Sequence, residues 1–157
     1  MTHETVGRPM EILMVEDSLT FARLAIGALK NGRVAHHLTW LTDGADAWEF
    51  LCRRGPYVNA PRPDLLLLDL KLPGLDGAEL LARLRADSEL ATLPVVVMTG
   101  EGDAFKESEL PVEAFLTKPL ALDKFLEVVQ QLSAFWKADM LTPVNESDLP
   151  VVHDDCL

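Results

Sequence analysis

Each of four short apolar runs in this sequence is followed by polar residues whose side chains can do chemistry. These residues are Glu16, Asp17, Asp69, Thr99 and Lys118. The carboxyl ends of parallel strands meet at one edge of a sheet, and ligands bind beyond that edge. If the runs are parallel strands, we therefore expect three carboxylates, one hydroxyl and one amine to converge at a single place.

The chemistry favoured by this set of residues is phosphoryl transfer. Clustered carboxylates repel one another, and Mg²⁺ offsets such repulsion because it prefers oxygen ligands. An aspartate can act as a nucleophile and form an aspartyl phosphate. A phosphoryl group on Asp69 would be stabilised by the ion, the Lys118 ammonium and the Thr99 hydroxyl. A single Asp after a strand is commonly only a turn or capping residue, but five convergent groups argue for a site.

The elements that would position these residues are strands and helices in alternation, which favours a parallel α/β fold. The expected strands lie near 12–15, 35–40, 65–68, 95–98 and 114–117. The third consists of four leucines and is apolar throughout, as in a strand buried on both faces. Pro61 and Pro63 before it, and Pro73-Gly74 after it, leave room only for a strand.

Helical patterns fill the intervals between these strands. We expect helices at about 18–30, 43–52, 76–86 and 122–136. Asp43 is well placed to cap the second helix. The apolar side of the first helix holds Phe21, Leu24, Ala25, Ala28 and Leu29.

Four motifs, taken in order, resemble the receiver domain of two-component response regulators. They are VEDS at 15–18, LLLLDLKLPGLDG at 65–77, VVVMTG at 95–100 and FLTKP at 115–119. The resemblance extends over about 11–136. It implies a flavodoxin-like, doubly wound sheet of five parallel strands in the order 2-1-3-4-5, with helices on both faces.

The resemblance also implies the roles of the acidic residues. Asp69 corresponds to the phosphoacceptor. Asp17, Asp69 and the backbone carbonyl of Lys71 correspond to the ligands of Mg²⁺, and Glu16 corresponds to a residue that acts on the ion through water. Mg²⁺ is therefore the expected cofactor.

Three further residues correspond to the switching parts of the family. Thr99 matches the hydroxyl that moves toward the phosphoryl group, Phe115 the switch aromatic, and Lys118 the lysine that contacts the phosphoryl group. The implied partner is a histidine kinase, and the implied response is altered protein–protein contact. The only expected catalysis is slow self-dephosphorylation, so the chain is not expected to be an enzyme in the usual sense.

A narrower resemblance rests on segment lengths. The Pro-containing connection at 53–63 is long, and the stretch at 100–112 is short for a fourth helix. We also expect no output domain. Together these features resemble the single-domain regulators associated with bacterial phytochrome histidine kinases.

The chain divides into three expected parts: an N-terminal extension at 1–10, the receiver domain at 11–137 and an acidic, flexible tail at 138–157. The last helix carries an apolar strip wider than one core requires. We therefore expect a homodimer that uses this helix and the fifth strand.

The formal net charge of −11 opposes binding to nucleic acid or to an anionic membrane surface. Neither a signal peptide nor a membrane-spanning run is evident. Cys52 and Cys156 lie far apart, outside any metal-binding spacing, which favours a reduced, cytoplasmic protein.

Two other function classes stay open at this point. A phosphohydrolase can also use a nucleophilic Asp in an acidic α/β site, although 157 residues leave little material for a substrate-binding cap. A constitutive dimeric adaptor, or a phosphate sink in the same pathway, would also fit the fold. Turnover of small phosphate esters would favour the hydrolase, whereas partner binding that is indifferent to Asp69→Asn would favour the adaptor.

Overall fold

The computed structural model describes residues 8–31, 35–99, 112, 114–117 and 127. Five strands run through this part of the chain: β1 (Met10–Val15), β2 (His36–Leu41), β3 (Leu65–Asp69), β4 (Val95–Thr99) and β5 (Ala114–Thr117). Three α-helices accompany them: α1 (Leu19–Asn31), α2 (Gly44–Cys52) and α3 (Gly77–Ala86). The expected last helix, the stretch at 100–111 and the acidic tail lie outside the described residues, apart from position 127, which is helical.

All five strands are parallel and lie in the order β2-β1-β3-β4-β5. The expected fold class is therefore confirmed. From β1 the chain winds outward to β2, and from β3 it winds in the opposite direction to β4 and β5. The switch point lies between the carboxyl ends of β1 and β3, and this is where an open parallel sheet binds its ligands.

The helices cover both faces of the sheet. On one face α1 packs against alternate residues of the central strands, among them Met14 and Leu67. On the other face α2 and α3 pack against the intervening residues, among them Leu13 and Leu66. Because successive strand residues point to opposite faces, β1 and β3 contribute to both cores.

The leucines of the central strand β3 are all buried. Each residue from Leu65 to Leu68 is at most 1% exposed. Burying a leucine side chain stabilises a fold by roughly 1.5–3 kcal/mol. The strand that carries Asp69 at its end is thus firmly held on both sides.

The connection after α2 is partly anchored. It contains a 3-10 turn at Gly55–Tyr57, and the Tyr57 ring lies 5.4 Å from the Phe50 ring, centroid to centroid. Arg53 ends α2 in the left-handed conformation, with φ of 58°. Val58, which follows the turn, is 62% exposed. The sequence predicts a long connection here, and the structure adds an aromatic contact between this connection and α2.

Cys52, at the end of α2, is expected to react slowly. Burial raises the pKa of its thiol, and the thiolate is the reactive form. In a Cys156→Ser background at mildly alkaline pH, N-ethylmaleimide should modify Cys52 more slowly than it modifies free cysteine. Unfolding in urea should remove the difference. A folded-state rate equal to that of free cysteine would contradict this expectation.

No helix in the described ranges has the length and apolar character needed to cross a membrane.

Candidate functional site

The site is built at the switch point, where β1 and β3 end side by side. Glu16 and Asp17 follow the last residue of β1, and Asp69 is the last residue of β3. Carboxylate oxygens of these three residues all lie within 4.8 Å of one another. The convergence of the three acids predicted from the sequence is therefore present in the structure.

The three acids differ in their exposure to solvent. Glu16 is fully buried and Asp69 is 3% exposed, whereas Asp17 is exposed. Buried carboxylates so close to one another need compensation by a cation or by hydrogen bonds. Asp69 thus lies at the bottom of the site, and Asp17 lies at its opening.

Glu16 is held by hydrogen bonds of one carboxylate oxygen and of both main-chain polar groups. Its Oε2 accepts from the Ser18 N–H at 3.0 Å, and its own N–H donates to the Leu41 carbonyl at 3.0 Å. Its main-chain carbonyl accepts from the indole Nε1 of Trp40 at 2.7 Å. Reasoning from the sequence did not find Trp40, because apolar periodicity does not reveal a side-chain bond to the main chain.

Asp69 is oriented by the turn that follows it. Its Oδ1 accepts a hydrogen bond from the main-chain N–H of Lys71 at 3.1 Å. The next residue, Leu70, donates its N–H to Met98 in β4 at 3.3 Å and accepts from Gly77 at 3.0 Å. The turn whose N–H orients the carboxylate is therefore bonded to both β4 and the start of α3.

The loop between β3 and α3 is fastened to the start of α2. Gly44 donates its N–H to the Pro73 carbonyl at 3.1 Å, and a Cβ at Gly44 would overlap the Leu75 carbonyl. Gly74 has φ of 75°, a conformation that L side chains rarely adopt. Asp43 caps α2 by accepting from the Ala45 and Asp46 N–H groups at 2.7 and 3.2 Å. The cap and the glycines together define the position of the loop.

The donor set fits a hard divalent cation. The cluster offers three carboxylates and no nitrogen or sulfur, and Mg²⁺ and Mn²⁺ prefer oxygen ligands. Two of the three acids are buried, so their mutual repulsion is poorly screened by solvent. A cation bound there would relieve that repulsion.

The remaining predicted residues lie on the neighbouring strands or beyond them. Thr99 ends β4, directly after Met98, whose Cα is paired with that of Asp69. Phe115 is in β5, which pairs with β4. The backbone therefore places both strands on the same side of the switch point as β3. Lys118 lies outside the described residues.

Comparison with known proteins identifies the family. The family model described as "Response regulator receiver domain" matches residues 12–130. The chain belongs to this family. The matched range includes every residue of the acid cluster. It also includes β1 from Ile12 onward and the whole of the other four strands.

Response regulators are among the relatives of this receiver domain. Response regulator Rcp1 of Synechocystis sp. is 41% identical over 138 residues, which is 86% of this chain and 94% of Rcp1. The Mn²⁺-bound crystal structure of Rcp1 matches with a TM-score of 0.68 at 39% identity, covering 87% of this chain and 100% of that one.

Two further similar solved structures are those of phytochrome response regulators. The phosphorylated cyanobacterial phytochrome response regulator RcpA matches at 35% identity with a TM-score of 0.67, covering 87% of this chain and 99% of that one. The bacteriophytochrome response regulator RtBRR matches at 33% identity with a TM-score of 0.74, covering 87% and 84%. The resemblance to the phytochrome-associated subset is confirmed.

Proposed function

We propose that this protein is a response regulator that accepts a phosphoryl group on Asp69 from a histidine kinase. The observation that carries the proposal is the meeting of Glu16, Asp17 and Asp69 at the switch point of the sheet. Asp69 is held there in a fixed orientation by the Lys71 N–H. Membership of the receiver family supports the same role.

The acid cluster would hold a divalent cation, Mg²⁺ under cellular conditions. Asp17 and Asp69 would be direct ligands with the backbone carbonyl of Lys71, and Glu16 would act through water. When bound, the ion supplies positive charge against the carboxylates and the phosphoryl oxygens. Support comes from the oxygen-only donor set of this chain, and from the Mn²⁺-bound structure of Rcp1.

The proposed transfer begins at the carboxylate of Asp69. One of its oxygens attacks phosphorus, a P–O bond forms, and the P–N bond to the donor histidine breaks. The imidazole leaves with the electron pair of that bond and takes up a proton. The Lys71 N–H keeps the carboxylate plane fixed during the attack, so little reorientation is needed.

The response would follow from movement of residues beside the acceptor. Thr99 and Lys118 would contact the phosphoryl group, and Phe115 would repack as Thr99 moves. Such contacts bias an equilibrium between two conformations toward the one that binds a partner. The only catalysis would be slow self-dephosphorylation.

The proposed partners follow from the relatives. RcpA and RtBRR are described as phytochrome and bacteriophytochrome response regulators, which supports a phytochrome-type kinase as the donor. Self-association through the last helix and β5 is proposed from the wide apolar strip of that helix. The absence of a membrane-spanning helix in the described ranges is compatible with the proposed action in the cytoplasm.

The proposal is tested by intact-mass analysis after incubation with acetyl phosphate. With Mg²⁺ or Mn²⁺ present we expect one phosphoryl group per chain. Removal of the metal with EDTA should slow uptake by about a hundredfold or more, because the charge on the phosphoryl oxygens is then unopposed.

A matched pair of variants controls this experiment. Asp17→Asn removes an acid of the cluster and should lower uptake, whereas Asp46→Asn removes an exposed acid from the first turn of α2 and should not. Uptake that is equally fast in EDTA, or no uptake with any metal, would contradict the proposed function.

A further inference from the structure

One side chain outside the acid cluster is bonded directly to the main chain of the cluster. The indole Nε1–H of Trp40, near the end of β2, donates to the carbonyl oxygen of Glu16 at 2.7 Å. That carbonyl belongs to the peptide group joining Glu16 to Asp17. Because the peptide group is planar, fixing its oxygen fixes the direction in which the chain enters Asp17.

The bond from Trp40 is one half of a two-point attachment to β2. The N–H of Glu16 donates to the Leu41 carbonyl at 3.0 Å, and its carbonyl accepts from the adjacent Trp40. The first is a main-chain bond that any residue could make. The second requires an N–H on the side chain, which a phenylalanine or leucine at position 40 lacks.

The indole is itself held in place. Trp40 is partly buried and packs against the core between the sheet and α1, as Leu38, Phe21 and Ile26 also do. A tryptophan fixed in this way presents its N–H in one direction. The indole is therefore already ordered when it bonds to Glu16.

Glu16 and Asp17 depend on this bond to different degrees. The Glu16 carboxylate has a separate restraint, since its Oε2 accepts from the Ser18 N–H at 3.0 Å. Asp17 is exposed, and the peptide group that leads to it is the one that Trp40 holds. The consequence of losing the indole N–H should therefore be greatest at Asp17.

We infer that Trp40 is a positioning residue for the divalent-cation site, acting through the Glu16 carbonyl to set the placement of Asp17. The inference rests on the proposed function, because it assumes that the acid cluster binds a cation. Partners that orient metal ligands commonly change metal affinity by about 10- to 100-fold when they are removed.

The test is the affinity of the whole chain for Mn²⁺, measured by electron paramagnetic resonance of the free ion. Trp40→Phe keeps an aromatic ring in the core but removes the donor, and we expect affinity to fall about 10-fold. The matched control is Trp48→Phe. Trp48 packs against the other core, with the Arg83 guanidinium 5.7 Å from its ring, and its replacement should leave Mn²⁺ affinity unchanged.

A second variant separates the hydrogen bond from the packing. Site-specific replacement of Trp40 by 3-benzothienylalanine keeps the bicyclic shape and substitutes sulfur for the N–H, so it serves even where Trp40→Phe does not fold. Weakened Mn²⁺ binding by this variant, with metal-free thermal unfolding close to that of the wild type, is the expected result.

The outcomes distinguish the inference from the function on which it rests. Wild-type affinity in the benzothienyl variant, while the wild type and Trp48→Phe bind Mn²⁺, would overturn the role of Trp40 and leave the proposed function standing. A wild-type chain that binds no Mn²⁺ would contradict both.

Discussion

Asp69→Asn is expected to take up no detectable phosphoryl group from acetyl phosphate, a loss on the order of a thousandfold or more. The amide is a poor nucleophile and cannot form an acyl phosphate of the same kind. The substitution also removes one of the negative charges that would hold the cation. Intact-mass analysis over time, with Mg²⁺ present, measures the loss directly.

The same substitution should not destabilise the metal-free protein. Asparagine has nearly the shape of aspartate, and its Oδ1 can still accept the Lys71 N–H. Removing one of three crowded carboxylates also relieves their repulsion. We expect a thermal midpoint at or above that of the wild type in EDTA. Continued phosphorylation of a folded Asp69→Asn variant would show that the acceptor is another residue.

Gly77→Ala is expected to destabilise the fold by about 3 kcal/mol, in the upper part of the range for overpacking. Gly77 is buried at the start of α3, and a Cβ there would overlap the Asp69 carbonyl and crowd the main chain of Leu70. These are backbone atoms of β3 and of the turn after it, so they can move only if the backbone is distorted. Urea unfolding, followed by circular dichroism, gives the free energy of unfolding.

Gly27→Ala is the matched control for this prediction. Gly27 lies inside α1, and a Cβ there would meet no heavy atom within 4 Å. Alanine should therefore raise the free energy of unfolding by up to about 1 kcal/mol, through its higher helix propensity. If Gly77→Ala were as stable as the wild type, the close approach of α3 to the end of β3 would be wrong.

The central part of the fold could be predicted from local pattern. Four leucines between prolines specify a strand buried on both faces, and the structure has β3 at Leu65–Asp69. Asp43 was predicted as a cap and accepts two N–H groups of α2. The strand order came from the resemblance to receiver domains, because apolar runs do not encode which strands are neighbours.

The apolar pattern predicted burial less well in α1, where the distance between the helix and the sheet decides which side chains are buried. In α1 the sequence placed Leu24 on the inner side, but Leu24 is 36% exposed, while Ala22 is fully buried. A helix that lies close to a sheet buries its small residues and leaves some larger ones at the edge of the contact. Which apolar residue is buried therefore depends on the approach of the helix, which periodicity does not give.

The residues that hold the acid cluster in place also could not be predicted from the sequence. The acids themselves were identified from their types and their places after the strands. The Trp40 bond to Glu16 and the contact of Gly44 with the β3–α3 loop join residues distant in sequence. Only the folded chain brings such pairs together, so local sequence carries no sign of them.

The most direct test of the account is to locate the phosphoryl group. After incubation with acetyl phosphate and Mg²⁺, borohydride reduces an aspartyl phosphate to homoserine, which mass spectrometry of the tryptic peptides can place. The account predicts homoserine at position 69, and no such product when the metal is removed. Homoserine at another acidic position, or none in a chain whose intact mass shows a phosphoryl group, would contradict it.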